Sequence, residues 1–306
     1  EKAIREAGGI CRTTKGYLPI TVKGPLKGGS LHLDTPISSQ FLSGLLFALP
    51  LAVNDSTILV KNLKSMPYVD LTMDVLTRYG IEIRHWQYHT FKITGGQHYK
   101  PTRLEIEKDW SNAAFFFVAG AIWGDLTIRG LNPGSVQGDK KILEALSSCG
   151  ANVREKEGSY HVVRKPPLKP FQIDATHCPD LFPPLAVLAS YCTGTSSIKG
   201  VHRLIHKESN RAWAIQKELT HMGVPVSLEA DCMRIKGKQP TGGTFHAHND
   251  HRMAMAGAIL ALGAQSPVTI TGSEAVGKSY PAFFNTLKNL HAKIENHHED
   301  TDRRGR

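Results

Sequence analysis

Four stretches of the chain carry ten or more apolar and small residues: "PISSQFLSGLLFALPLAV", "DWSNAAFFFVAGAIWG", "HCPDLFPPLAVLASYCTG" and "HNDHRMAMAGAILALGA". Each opens with a Ser, Asp or Asn able to cap a helix. A run that is apolar on every side predicts a helix buried on most faces. A short strand is predicted after each: "STILVKNL", "DLTIRGL", "SSIKGV" and "PVTITG". Amphipathic helices then follow: "VDLTMDVLTRYGIEI", "GDKKILEALSSCGANV", "SNRAWAIQKELTHMGVPV" and "PAFFNTLKNLHAKI". The first three copies are expected to close with two more strands, as in "HTFKITGG" and "TRLEIEKD".

The order of elements recurs together with their spacing. Ser38, Ser111, Asp180 and Asp250 stand 73, 69 and 70 residues apart. One unit is therefore roughly β-α-β-α-β-β, and the fold class is α/β. A helix apolar all round cannot be covered by its own strands, so the copies must pack together with those helices inside. The stretch up to Leu33 reads as the second half of an earlier unit: a helix stopped by Gly8 and Gly9, then "LPITVKG" and "GSLHLDT". A start partway along a helix suggests a fragment. The last unit lacks a closing hairpin after Ile294, and the polar tail to Arg306 is expected to be disordered.

Charge narrows the partners. Lys and Arg number 37 against 27 Asp and Glu among 306 residues, a net +10. That favours anions: nucleic acid, anionic lipid, or phosphorylated and carboxylated metabolites. No basic run reaches five residues, which argues against a nucleic-acid arm. The longest apolar runs, such as Ala113 to Gly124, fall short of the ~18 residues of a membrane span, and no signal peptide is evident. Five cysteines with no C-x-x-C pair disfavour zinc ribbons and disulfide frameworks and point to a reducing cytoplasm.

The heads of the buried helices carry the candidate chemistry. A helix N-terminus presents unpaired N–H groups and a positive dipole end, a ready anion site. Asn249 or Asp250 is placed to cap the last of these helices, with Arg252 in its first turn. Ser38 and Ser39 offer hydroxyls and N–H groups to a phosphate, with Gln40 beside them. Asp180, at the head of an apolar helix, is either a cap or, among cations, a general base. Lys207 and Arg211 share one face of the next, amphipathic helix, near Glu208; taken alone, that face reads as solvated. "GSEAVGKS" satisfies the letters of a P-loop, but Pro281 follows closely and no βαβ unit comes after, so a nucleotide loop is not expected. His246, His248 and His251 lack supporting ligand spacing; no metal and no cofactor is expected.

Together, "NDHRMAM", "KESNR", "SSQF", "KSMPYVD", "PDLFPPLAVLA" and "GKSYPAFF" resemble the 3-phosphoshikimate 1-carboxyvinyltransferase, or EPSP synthase, family from the first helix to about residue 293. The resemblance implies two domains, each of three such units, built as inside-out α/β barrels of buried helices. Residues 1–106 would be the last third of the first domain, 107–293 nearly all of the second, and 294–306 the tail. It further implies transfer of the enolpyruvyl group from phosphoenolpyruvate to the 5-hydroxyl of shikimate 3-phosphate by a monomeric cytoplasmic enzyme, with no nucleic acid and no membrane as partner. Ser38, Ser39, Ser65 and Lys207 match ligands of the shikimate phosphate, and Gln40 contacts both substrates. Arg211, Arg252 and Lys278 match cations around phosphoenolpyruvate, and Arg203 and His251 stand at further substrate-binding positions. Asp180 matches the base facing the 5-hydroxyl. Glu208 matches the acid serving the phosphoenolpyruvate methylene, with Lys207 near the chemistry.

Two departures accompany the match. Asn210 stands where the family more usually has an acid, which puts a contact of Arg211 in doubt. The family's N-terminal lysine, serine, arginines and glycine loop have no counterpart here, so this stretch alone is expected to be inactive and to expose apolar edges. The rival readings are UDP-N-acetylglucosamine 1-carboxyvinyltransferase, of the same architecture, and a nucleic-acid-binding protein.

Overall fold

The computed structural model describes residues 1–35, 38–205 and 207–296. Helix α1 (Lys2–Glu6) leads into an antiparallel hairpin of β1 (Ile10–Thr14) and β2 (Tyr17–Lys23). Next comes a full unit: β3 (Gly29–Asp34), α2 (Gln40–Ala48), β4 (Ser56–Lys61), α3 (Met66–Arg78), β5 (Ile83–Trp86) and β6 (Thr90–Ile93). Its sheet has the order β3-β4-β6-β5, with β3 parallel to β4 and the rest antiparallel.

The following unit contains α4 (Trp110–Ile122), β7 (Asp125–Ile128), α5 (Ile142–Ser148), β8 (Asn152–Lys156) and β9 (Ser159–Val163). A second complete unit follows: β10 (Gln172–Asp174), α6 (Phe182–Ser190), β11 (Thr195–Lys199), α7 (Arg211–His221), β12 (Val226–Glu229) and β13 (Cys232–Lys236). Its sheet order, β10-β11-β13-β12, repeats that of the first full unit. The last unit has β14 (Gly243–His246), α8 (His251–Ala261), β15 (Val268–Thr271) and α9 (Phe283–Asn289), with β14 and β15 parallel. None of the five sheets among the described residues closes on itself.

The apolar runs behave as their composition requires. In α4 every residue but Asn112 is buried; in α6 all are, and in α8 all but Ala261. These three helices pack on one another, and the sheets cover them from outside. The backbones approach closely where glycine permits it. A Cβ on Gly120 of α4 would lie 2.9 Å from Val162 Cβ, and one on Gly257 of α8 would lie 2.7 Å from Phe245 Cδ1. The apolar interior forms two clusters, one drawn from residues between Ala7 and Ile93 and one from residues between Trp110 and Leu287.

Three local expectations are corrected. The closing hairpin of the earliest unit is β1 with β2, whereas "GSLHLDT" supplies β3, the opening strand of the next unit. The hairpin expected at "HTFKITGG" and "TRLEIEKD" is instead β5 with β6. Residues 102–109 form no strand and enter no ladder among the described residues, and Ile106 is exposed. Residues 297–306 of the expected tail lie outside the described residues.

Candidate functional site

The heads of α6, α7 and α8 meet at one carboxylate. Asp180 lies in a single 3-10 turn, Pro179–Leu181, just before α6. It does not cap that helix. Its Oδ1 accepts from Arg211 at 2.6 Å and lies 3.3 Å from Lys207 Nζ, and its Oδ2 lies 3.2 Å from an Arg252 nitrogen. Those cations come from the start of α7, the loop before it and the first turn of α8. Burial alone would raise the Asp180 pKa; Arg252, Lys207 and Arg211 overcome it and hold the carboxyl well below its ordinary range.

Arg211 is completely buried and fully partnered. Its Nε donates to Asp250 Oδ2 at 2.7 Å, and its remaining nitrogens reach Asp180, Asp250 and Glu208. Asp250 has two tasks. Its Oδ1 accepts from Arg252 N at 2.9 Å and so caps α8, while its other oxygen takes Arg211 and the Ser209 hydroxyl. The choice between Asn249 and Asp250 as cap therefore falls to Asp250. Asn249 instead accepts Lys278 Nζ through its carbonyl and its side chain, at 2.6 and 2.8 Å. Asn210 caps α7, accepting from Trp213 N at 3.3 Å, so the family departure leaves Arg211 its carboxylates.

His251 is buried beside this cluster, with Glu208 and Asp250 about 4 Å away. Burial, then the Arg252 charge, pushes its pKa down. Two guanidinium nitrogens of Arg252, Nε and Nη1, are buried without a hydrogen-bond partner among the described residues. They are free donors for an anion. His246 and His248 are engaged by Thr271 and Glu218, at 2.6 and 2.7 Å. No group of three metal-ligating side chains gathers among the described residues.

The first core reaches the same region. Ser65 precedes α3 in a left-handed conformation, φ 55°, and its hydroxyl accepts from Arg203 at 3.0 Å. Ser38, Ser39 and Gln40 stand at the head of α2, where the Ser38 hydroxyl accepts from Gln40 N at 3.2 Å. They make no hydrogen bond or ion pair with the Asp180 cluster among the described residues. Sequence reasoning passed over two side chains here, Tyr68 and Asp139. The Tyr68 hydroxyl donates to Asp139 at 2.8 Å, and both groups feel the Asp180 charge. Tyr68 lay within the "KSMPYVD" run, but nothing local marks Asp139, 71 residues away.

The family model described as EPSP synthase (3-phosphoshikimate 1-carboxyvinyltransferase) matches residues 2–287. A Clostridium acetobutylicum 3-phosphoshikimate 1-carboxyvinyltransferase is 44% identical over 275 residues, covering 89% of this chain and 64% of that protein. The Aeropyrum pernix protein of the same name is 37% identical over 294 residues, covering 96% and 68%. Thus the chain spans about two thirds of the length of these curated relatives. The EPSP synthase structure from Acinetobacter baumannii superposes with a TM-score of 0.78 at 26% identity, covering 94% of this chain and 69% of that one. The enolpyruvyl transferase NikO from Streptomyces tendae, at 19% identity, TM-score 0.73 and coverage of 96% and 70%, shares the fold. With a match over nearly its whole length, the chain belongs to the EPSP synthase family.

Proposed function

We propose that this chain provides much of the site for enolpyruvyl transfer from phosphoenolpyruvate to the 5-hydroxyl of shikimate 3-phosphate, with release of phosphate. The observation that carries the reading is the convergence of Arg211, Arg252 and Lys207 on Asp180 from three segments. Each substrate brings a phosphate and a carboxylate, and such a cleft needs fixed cations. Arg252 has spare buried donors, and Lys278 waits beside the head of α8.

A carboxylate held by three cations is a poor base. Incoming anions draw those cations toward themselves, the Asp180 pKa rises, and the group becomes able to take the 5-hydroxyl proton. Glu208 delivers a proton to the phosphoenolpyruvate methylene. Its C2 becomes cationic, the 5-oxygen bonds to it, and the tetrahedral adduct then loses a methyl proton and phosphate. Ser38, Ser39, Ser65, Arg203 and Lys207 serve the shikimate phosphate, Gln40 meets both substrates, and His251 adds a neutral donor beside Glu208. No nucleic acid enters this scheme. The enzyme works as a monomer in the cytoplasm, where five free cysteines stay reduced.

Thermal shift on the chain tests the reading. Shikimate 3-phosphate is expected to raise the melting temperature and UDP-N-acetylglucosamine to leave it unchanged. Lys207→Ala is expected to abolish the shift. In a protein of the relatives' full length carrying these residues, Asp180→Asn is expected to lower phosphate release by a factor on the order of 10² to 10⁴. A chain indifferent to shikimate 3-phosphate would overturn the proposal.

A further inference from the structure

Asp139 is buried, 2% exposed, in the short 3-10 turn Gly138–Lys141 ahead of α5. Its Oδ2 accepts from the Tyr68 hydroxyl at 2.8 Å and also from the Ser111 hydroxyl on the first turn of α4. Its Oδ1 has no hydrogen-bond partner, and the carboxyl forms no ion pair among the described residues. Burying a carboxylate without a cation is costly. A neutral side chain would fill the same space at less cost, so packing alone does not account for an acid here.

The bond to Tyr68 crosses between the two apolar cores, since Tyr68 belongs to α3 and Asp139 to the second cluster's side of the seam. It also ends a longer chain of contacts. Ser43 on α2 bonds the Thr72 hydroxyl at 2.8 Å, and Thr72 donates to the Tyr68 carbonyl at 2.9 Å. From there the phenol reaches Asp139, which holds Ser111 on α4. Helix α2 is thereby tied to α4, which packs against α6 and α8 behind the Asp180 cluster. With its proton committed to Asp139, the Tyr68 oxygen retains a lone pair for a ligand hydroxyl.

We propose that Asp139 is a positioning residue: it orients the Tyr68 hydroxyl across the seam and so sets the distance between the helix heads of the first core and the Asp180 cluster. The proposal rests on the reading of the site as a shikimate 3-phosphate cleft. Burial and the neighbouring Asp180 charge push the Asp139 pKa up, while Arg252, Ser111 and Tyr68 pull it back. The two carboxyls are thus driven apart, Asp180 toward ionisation and Asp139 away from it.

A double-mutant cycle tests it, read as shikimate 3-phosphate affinity by calorimetry alongside the melting temperature. Tyr68→Phe and Asp139→Ala are each expected to weaken binding about tenfold. The double variant is expected to be no weaker than either single one, because both remove the same link. Should Asp139→Ala fail to fold, Asp139→Ser replaces it; its hydroxyl can satisfy Ser111 but is too short to reach Tyr68. Losses that multiply in the double variant would overturn the proposal. So would a lowered melting temperature with unchanged affinity, the mark of a purely structural acid. A wild-type chain that does not bind the ligand removes the functional reading, and this inference with it. Wild-type binding with multiplying losses removes this inference alone.

Discussion

Asp250 holds Arg211 at 2.7 Å with one oxygen while the other caps the helix that begins at the next residue. Both groups are fully buried. Asp250→Ala therefore removes a cap and leaves the buried Arg211 Nε without its acceptor. Asp180 and Glu208 still hold Arg211, so the unsatisfied donor is expected to cost about 1–3 kcal/mol, and loss of the cap about 1 kcal/mol more. Urea denaturation measures it, and a loss below about 1 kcal/mol would contradict this account.

Acid should unfold the chain in two stages. The His251 pKa is depressed by burial and by Arg252. Its unfolded form takes a proton near pH ~6.5, so its contribution is present above that pH and fades as pH falls below it. Asp180 and Asp250 are depressed by their guanidinium partners. Their contributions are present above the ordinary carboxylate value, about 4, and fade as pH falls through the lowered one. Urea midpoints followed from pH 7 downward should decline first near the histidine value and again below pH ~4. His251→Asn should shrink the upper decline to the part that His177, also depressed by burial, contributes, and leave the lower one in place.

Gly257 faces the Phe245 ring, and an added Cβ would lie 2.7 Å from Cδ1 and 3.0 Å from Cγ. Gly257→Ala is expected to destabilise by about 1–3 kcal/mol through overpacking. Helix propensity would favour alanine by about 1 kcal/mol, so a stabilised variant would show that the ring yields freely. The melting temperature decides.

Ile10, Tyr17, Leu18, Ile20 and Val22 are all exposed on the β1–β2 hairpin. A two-stranded ribbon with so much bare apolar surface invites pairing. Sedimentation should detect concentration-dependent association of the chain, and Leu18→Lys with Val22→Lys should reduce it. Equal association in the variant would place the sticky surface elsewhere.

The site's skeleton was legible wherever charge and apolar runs meet in sequence. Asp180 and Arg252 stood out because each sits at the head of a segment that otherwise demands burial, whereas Arg211 read as part of a solvated face and only its contacts show it buried. The period of about seventy residues placed Asp180 and Asp250 in equivalent positions before any contact was known. Tyr68 and Asp139 did not stand out, since their significance is a contact across 71 residues and neither breaks a local pattern. Caps were ambiguous for another reason. Asp109 and Ser111 suit the role equally well by type, and only geometry gives it to Asp109, which accepts from Ser111 N at 2.8 Å. The stretch 102–109 alternates like a strand, but alternation supplies no partner, and no ladder among the described residues takes it up.

The complete burial of Arg211 among carboxylates from three segments has a consequence for variation in this protein. Arg211 and Asp250 are not adjustable singly, because weakening either leaves a polar group unpaired where water does not reach. Substrate preference and folding thus draw on the same few atoms. Changes that tune the chemistry are expected to arise at solvent-facing neighbours, such as Lys278 and Asn249, rather than within the set.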